Sequence, residues 1–256
     1  MSDQMFLLFI ILIVVTVLPG LYLVLRNREN PQKFVEIFQE LVSTENFQRV
    51  DNVRELETIK SLVAGTTDGV KVENVTINHA LKKKSDSEAP EAREAPEAPE
   101  GPFLADVKYY HSMQGGGRHY LKSVAAVPGE IDTCDIVIYP QPKSYLLKKM
   151  VSAVSIEDAI SDFNDQFMVT FIPMREGKIS LNFELQRLMI EYVSEYPFNQ
   201  PQSSAGGSPA SLYIGRTGIC AEGNRTSDRK NLLTLNEMVT RIILIIKESH
   251  SAAIEQ

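Results

Sequence analysis

The chain has little with which to cross-link itself or bind metal. It carries two cysteines, Cys134 and Cys220, and four histidines, His79, His111, His119 and His250. Two cysteines make neither a disulfide framework nor a cysteine-rich zinc site. Each reads instead as a small buried hydrophobe. The histidines form no H-x-x-x-H pair, and none adjoins a cysteine, so no metal or other cofactor is expected. The nucleophile elbow G-x-S-x-G, the phosphate loop G-x-x-x-x-G-K-[ST] and the dinucleotide fingerprint G-x-G-x-x-G are all absent. An excess of positive charge is missing too. Against 33 acidic residues stand 26 basic ones, a net charge of −7 that gives no global attraction for nucleic acid or anionic lipid. The pairs Tyr109-Tyr110 and Tyr120 with Arg118 and Lys122 loosely suggest a stacking surface, but the acidic balance argues against a nucleic-acid partner. Long apolar runs are scarce as well, which excludes a polytopic membrane protein.

One such run exists. Met5–Leu25 holds 21 residues without a charge, MFLLFIILIVVTVLPGLYLVL. As a helix it would extend about 31 Å, the thickness of a bilayer's hydrocarbon core. A cleaved signal peptide would need a basic n-region and small residues at the cleavage site. Here Asp3 precedes the run, no Lys or Arg does, and no Ala-x-Ala follows, so the run reads as a signal-anchor. Pro19-Gly20 is tolerable within such a helix as a bend. Arg26, Arg28 and Lys33 follow the run, and by the positive-inside rule they place the body on the cytoplasmic side. The anchor residues are thus Met5 to Leu25 with Arg26 and Arg28, and membrane lipid is the first expected partner. Two glycosylation triplets, Asn74-Val75-Thr76 and Asn224-Arg225-Thr226, would suit the opposite side; the flanking charges carry more weight.

The body reads as an α+β domain with a mainly antiparallel sheet packed with amphipathic helices. Its divisions are 1–28 anchor, 29–66 juxtamembrane helices, 67–81 a strand, 82–102 an insert and 103–250 the main α+β domain. Phe34, Ile37, Phe38 and Leu41 form one helical stripe. A second helix is expected at Val53–Val63, capped by Asp51 or Asn52, with Val53, Leu56, Ile59 and Leu62 inward and Gly65 ending it. The two make a helical hairpin whose stripes pack on the domain's own sheet. Val70–Ile77 reads as a strand. After the triplet Lys82–Lys84, residues 88–102 run EAP, EAR, EAP, EAP, EGP, a disordered, polyproline-like insert that could reach about 45 Å. Val107–Tyr110, Tyr120–Val127, Asp135–Tyr139 and Phe167–Ile172 are strand candidates. Gly115–Gly117 supply a hairpin turn between the first two. Ser155 caps a short helix with Asp158 at the fourth position. Leu181, Leu185, Leu188, Met189 and Tyr192 mark an amphipathic helix. Leu212–Ile214 and Ile219–Ala221 form a hairpin across Gly215–Gly218. A last helix spans about Leu232 to Glu248, with Thr234 and Glu237 as a capping box.

Asp158, Asp162 and Asp165 fall at i, i+4 and i+7, where they share a helical face. They lack the ligand spacing of a calcium loop and read as a solvated acidic face. Gly115–Gly117 with Arg118 has the donors for an anion cradle but opens no helix, so the turn is preferred.

Phe163-Asn164-x-x-Phe167-x-Val169, the helix at 181–192, Leu212-Tyr213-Ile214 with Gly218-Ile219, Asp228 and the closing apolar helix together resemble a class of prokaryotic membrane-anchored proteins of unknown function. The resemblance covers about residues 155–247. It implies an N-terminal span followed by one domain, and it implies no activity. This chain departs from that pattern in having Asn164 where Asp is frequent and in lacking a preceding Thr-Gly-Asp. The expectation is a single-pass, membrane-anchored protein whose non-catalytic cytoplasmic domain binds a protein partner or forms a homo-oligomer. The rival is a membrane-tethered enzyme with a site assembled from distant residues, such as His111 or His119 with Cys134 or the Asp158–Asp165 acids.

Overall fold

The stripe Phe34, Ile37, Phe38 and Leu41 is buried along one side of helix α1 (Pro31–Thr44). The structure, a computed structural model, describes residues 31–65, 72–84, 101–113, 116–131, 135–141, 155–172, 178–199 and 210–254. The run Met5–Leu25, with Arg26 and Arg28, lies outside them, as do Cys134 and residues 85–100 of the Glu-Ala-Pro insert. Among the described residues no helix is long and apolar enough to cross a membrane.

Eight strands form one sheet: β1 (Phe47–Arg49), β2 (Val72–Lys83), β3 (Phe103–Met113), β4 (Gly116–Pro128), β5 (Ile136–Pro140), β7 (Phe167–Phe171), β9 (Ser211–Gly215) and β10 (Gly218–Asn224). Their order is β1-β2-β3-β4-β10-β9-β5-β7, and every neighbouring pair is antiparallel. The late hairpin β9–β10 is inserted between β4 and β5. Its turn requires glycine: Gly218 has φ +140°, and a Cβ there would meet the Val127 carbonyl oxygen at 2.3 Å. Two short strands, β6 (Ser155–Glu157) and β8 (Lys178–Ser180), pair in parallel apart from the main sheet.

Successive strand residues point to opposite faces, so the sheet has two cores. On the first face lie Leu104, Val127, Ile138, Val169, Ile214 and Ile219, covered by α1, by the short α3 (Phe163–Gln166), by α4 (Phe183–Tyr192) and by α5 (Arg229–Ile254). On the second face lie Phe103, Val107, Val124, Val137, Tyr213 and Cys220, packed against Ile59, Leu62 and Val63 of α2 (Val53–Gly65).

Several expectations meet a different arrangement. Both early stripes pack on the domain's own sheet, but α1 and α2 are no hairpin: β1 separates them, and they lie on opposite faces. Asn52 caps α2, its side-chain oxygen accepting from Arg54 N at 2.9 Å, which turns Val53 outward at 71% exposure. Ser155 starts strand β6 and caps no helix. Ile156 is buried and its strand pairs with β8, a tertiary gain that overrides a local capping signal. Helix α5 begins earlier than Thr234, because Asp228 accepts from Asn231 N at 3.1 Å and supplies the cap. The strand expected at Val70–Ile77 extends to Lys83 and takes in two of the three lysines thought to open the insert.

Candidate functional site

On the second face Lys122 of β4 and Glu222 of β10 are both buried, with Lys122 Nζ 4.0 Å from Glu222 Oε1. The Tyr109 hydroxyl of β3 donates to both carboxylate oxygens at 3.2 Å. Burial pushes the Lys122 ammonium below its ordinary value, and the negative charge of Glu222 partly restores it. Cys220, two residues from Glu222 on the same face, is fully buried. Desolvation first, and Glu222 second, push its thiol well above the ordinary value, so it is an inert thiol.

On the first face Asp106 of β3 is fully buried and held by two parallel bonds from Arg225, Nε to Oδ1 at 2.8 Å and Nη2 to Oδ2 at 2.6 Å. Asn78 Nδ2 of β2 donates to the same carboxylate at 3.2 Å. The guanidinium lies 3.7 Å from the centre of the Phe34 ring of α1. Next to it, Thr226 N donates to the Ser123 hydroxyl of β4 at 3.0 Å. These contacts fix the 225–228 segment that leads into α5, and they join β2, β3, β4, α1 and α5.

Neither cluster opens into a described pocket. Pockets among the described residues lie elsewhere. One, about 380 Å³, runs along α4 and α5 between Arg187, Glu191, Arg241 and Leu244. Arg241 there is already paired with Glu191 at 3.3 Å. Another, about 400 Å³, lies between α1 and the edge strands β1 and β2. Val35, Phe38 and Gln39 line it from α1, Arg49 from β1, Asp51 from the segment after it and His79 from β2. The His79 ring sits 5.5 Å from that of Phe38. The side chains of Gln39, Arg49 and Asp51 have no hydrogen-bond or ion-pair partner among the described residues.

Of the residues singled out by sequence, Cys134 and the side chain of His111 lie outside what the structure describes, and the described ones do not converge. His119 is exposed on β4, its ring 5.1 Å from that of Tyr110. Asp158, Asp162 and Asp165 are exposed beside the β7 edge of the sheet. Between β4 and β7 lie β10, β9 and β5, so these groups are separated by four strand spacings, about 19 Å. The acids share no helical face either: Asp158 is a turn residue with φ 56°, Asp162 precedes α3 and only Asp165 lies within it. Met113 pairs with Gly116, so the glycine-rich segment belongs to the β3–β4 hairpin. Among the described residues no three His, Cys, Asp or Glu side chains are placed to hold a metal ion. Asp106, Lys122, Glu222 and Arg225 were not legible as a set. The available signal was a charge in an otherwise apolar strand, as in Leu121-Lys122-Ser123-Val124 and Cys220-Ala221-Glu222.

No known protein family model, curated protein or solved structure matches the chain.

Proposed function

We propose that the chain is a single-pass membrane-anchored protein, similar in plan to prokaryotic anchored proteins of unknown function, whose α+β domain is a non-catalytic interaction module on the cytoplasmic side. The observation that carries this reading is the uncharged run Met5–Leu25 with Arg26 and Arg28 directly after it, followed by a folded domain whose first helix begins at Pro31. Only five residues separate Leu25 from that helix, so the domain is held close to the lipid surface. The buried charges support a binding role over a catalytic one, because Asp106 and Glu222 are engaged by Arg225 and by Tyr109 inside the packed sheet. The surface offered to a protein partner or to a second copy is the α4–α5 face, where Leu244 is 53% exposed in a groove it shares with Arg187, Glu191, Arg241 and Glu248.

The test is a photo-crosslinking residue in place of Leu244 in the full chain, irradiated in native membranes. The proposal expects a discrete adduct, either with one other protein or with a second copy, and loses it when residues 5–25 are deleted. Absence of any adduct, together with a monomeric mass in detergent, contradicts it. Side is tested by translation into microsomes. Asn74 and Asn224 are exposed, so the proposal expects both to stay unmodified, and glycosylation of either contradicts a cytoplasmic body.

The tethered-enzyme reading has one supporting observation: Lys122, Glu222 and Tyr109 bring acid–base groups from three strands together. It requires that Lys122 react with an amine-directed reagent in the folded protein.

A further inference from the structure

We propose that the pocket between α1 and the β1–β2 edge binds an aminoalkyl phosphate, the chemistry of phosphoethanolamine, either as a free molecule or as a lipid headgroup. Arg49 and Asp51 flank Val50, which is buried on the second face, so both project to the first face, where they line the same pocket. Their Cα atoms are about 6.6 Å apart in extended chain. A guanidinium fork suits a phosphate, and a carboxylate suits an ammonium. A cationic and an anionic side chain on one wall of the same pocket suit a zwitterion whose two ends are separated by a short carbon linker. Neither side chain has a partner among the described residues, so the ligand replaces water and no protein bond is broken. Gln39 and His79 add polar contacts on the α1 and β2 walls, while Phe38 and Val35 provide an apolar wall on which an acyl-bearing glycerol can rest.

Position supports the lipid source. Val35 is ten residues beyond Leu25, so the α1 wall lies no more than about 35 Å along the chain from the end of the apolar run. Only this preference for lipid rests on membrane attachment; the recognition of the zwitterion does not.

The experiment is a calorimetric titration of the full chain in an uncharged detergent. The probes are O-phosphoethanolamine, inorganic phosphate, ethanolamine, and dihexanoyl-phosphatidylethanolamine below its micellar concentration. The expected result is saturable binding of O-phosphoethanolamine, with each one-charge fragment at least tenfold weaker. Arg49→Gln and Asp51→Asn should each weaken it at least tenfold while leaving the unfolding midpoint unchanged. Tighter binding of the dihexanoyl lipid supports a headgroup site, and tighter binding of the free compound supports a metabolite site. The proposal is overturned if inorganic phosphate binds as well as O-phosphoethanolamine, if Asp51→Asn binds like the wild type, or if neither zwitterion saturates. Release of the chain from membranes without detergent, with O-phosphoethanolamine binding retained, would sink the anchoring and leave the pocket standing.

Discussion

The two faces of the sheet each bury an ion pair, and they do it differently. On the first face Asp106 receives two short bonds from Arg225, a third from Asn78, and the guanidinium rests on Phe34. Arg225 keeps 16% of its side chain exposed, so only one member loses its water entirely. On the second face Lys122 and Glu222 both lose theirs, and they meet at only 4.0 Å. A buried pair offsets its desolvation only when the geometry is close and the remaining lone pairs are filled. The first pair meets that condition and clamps elements far apart in sequence. The second joins adjacent strands at a longer distance, with the Tyr109 hydroxyl donating to its carboxylate. Burial alone therefore says little about what a charge contributes; the partners decide.

The comparison is broken most severely at Asp106. Asp106→Ala leaves Arg225 without its carboxylate and loosens the entry to α5, and urea unfolding should show a loss of about 4 kcal/mol. On the second face Lys122→Met removes the ammonium from beside a buried carboxylate and should cost about 3 kcal/mol. The triple variant Tyr109→Phe, Lys122→Met, Glu222→Leu, which also removes the hydroxyl bonded to Glu222, should return to within about 1 kcal/mol of the wild type, because replacing a buried pair together with its hydrogen-bond donor by apolar groups is close to neutral. Recovery in that variant, and none in Asp106→Ala, Arg225→Met, separates the two faces. Next in size is the helix cap: Asn182 accepts from Glu184 N at 2.7 Å, so Asn182→Ala should lower stability by about 1 kcal/mol.

The smallest effect is one of pH. The folded protein holds Lys122 below its ordinary value of 10.5, so in the interval between the two values the unfolded chain binds more protons. Stability from this group therefore rises with pH across that interval and is lowest below it. The difference in unfolding free energy between wild type and Lys122→Met should grow in favour of the wild type as alkaline pH increases. A flat difference would place Lys122 in a solvated environment.

Much of the architecture was legible because period and burial agree. The stripe of α1, the apolar face of α4 and the hairpin across Gly215–Gly218 each follow from local spacing and a permissive glycine. What was not legible depends on pairing between distant strands. The insertion of β9–β10 between β4 and β5 leaves no local trace. Asp106 and Arg225 are 119 positions apart, and nothing near either names the other. Ser155-x-x-Asp158 had the chemistry of a helix start, yet pairing with β8 and the burial of Ile156 prevailed. The pocket at Arg49 and Asp51 was invisible for the same reason, since its walls come from α1, β1 and β2 and only the folded edge brings them together.

The functional account depends on attachment to lipid through residues 5–25. Extraction of membranes from cells making the full chain, with alkaline carbonate, tests this most directly. The protein should sediment with the bilayer and be released only by detergent. Recovery of the intact chain in the carbonate supernatant would contradict it.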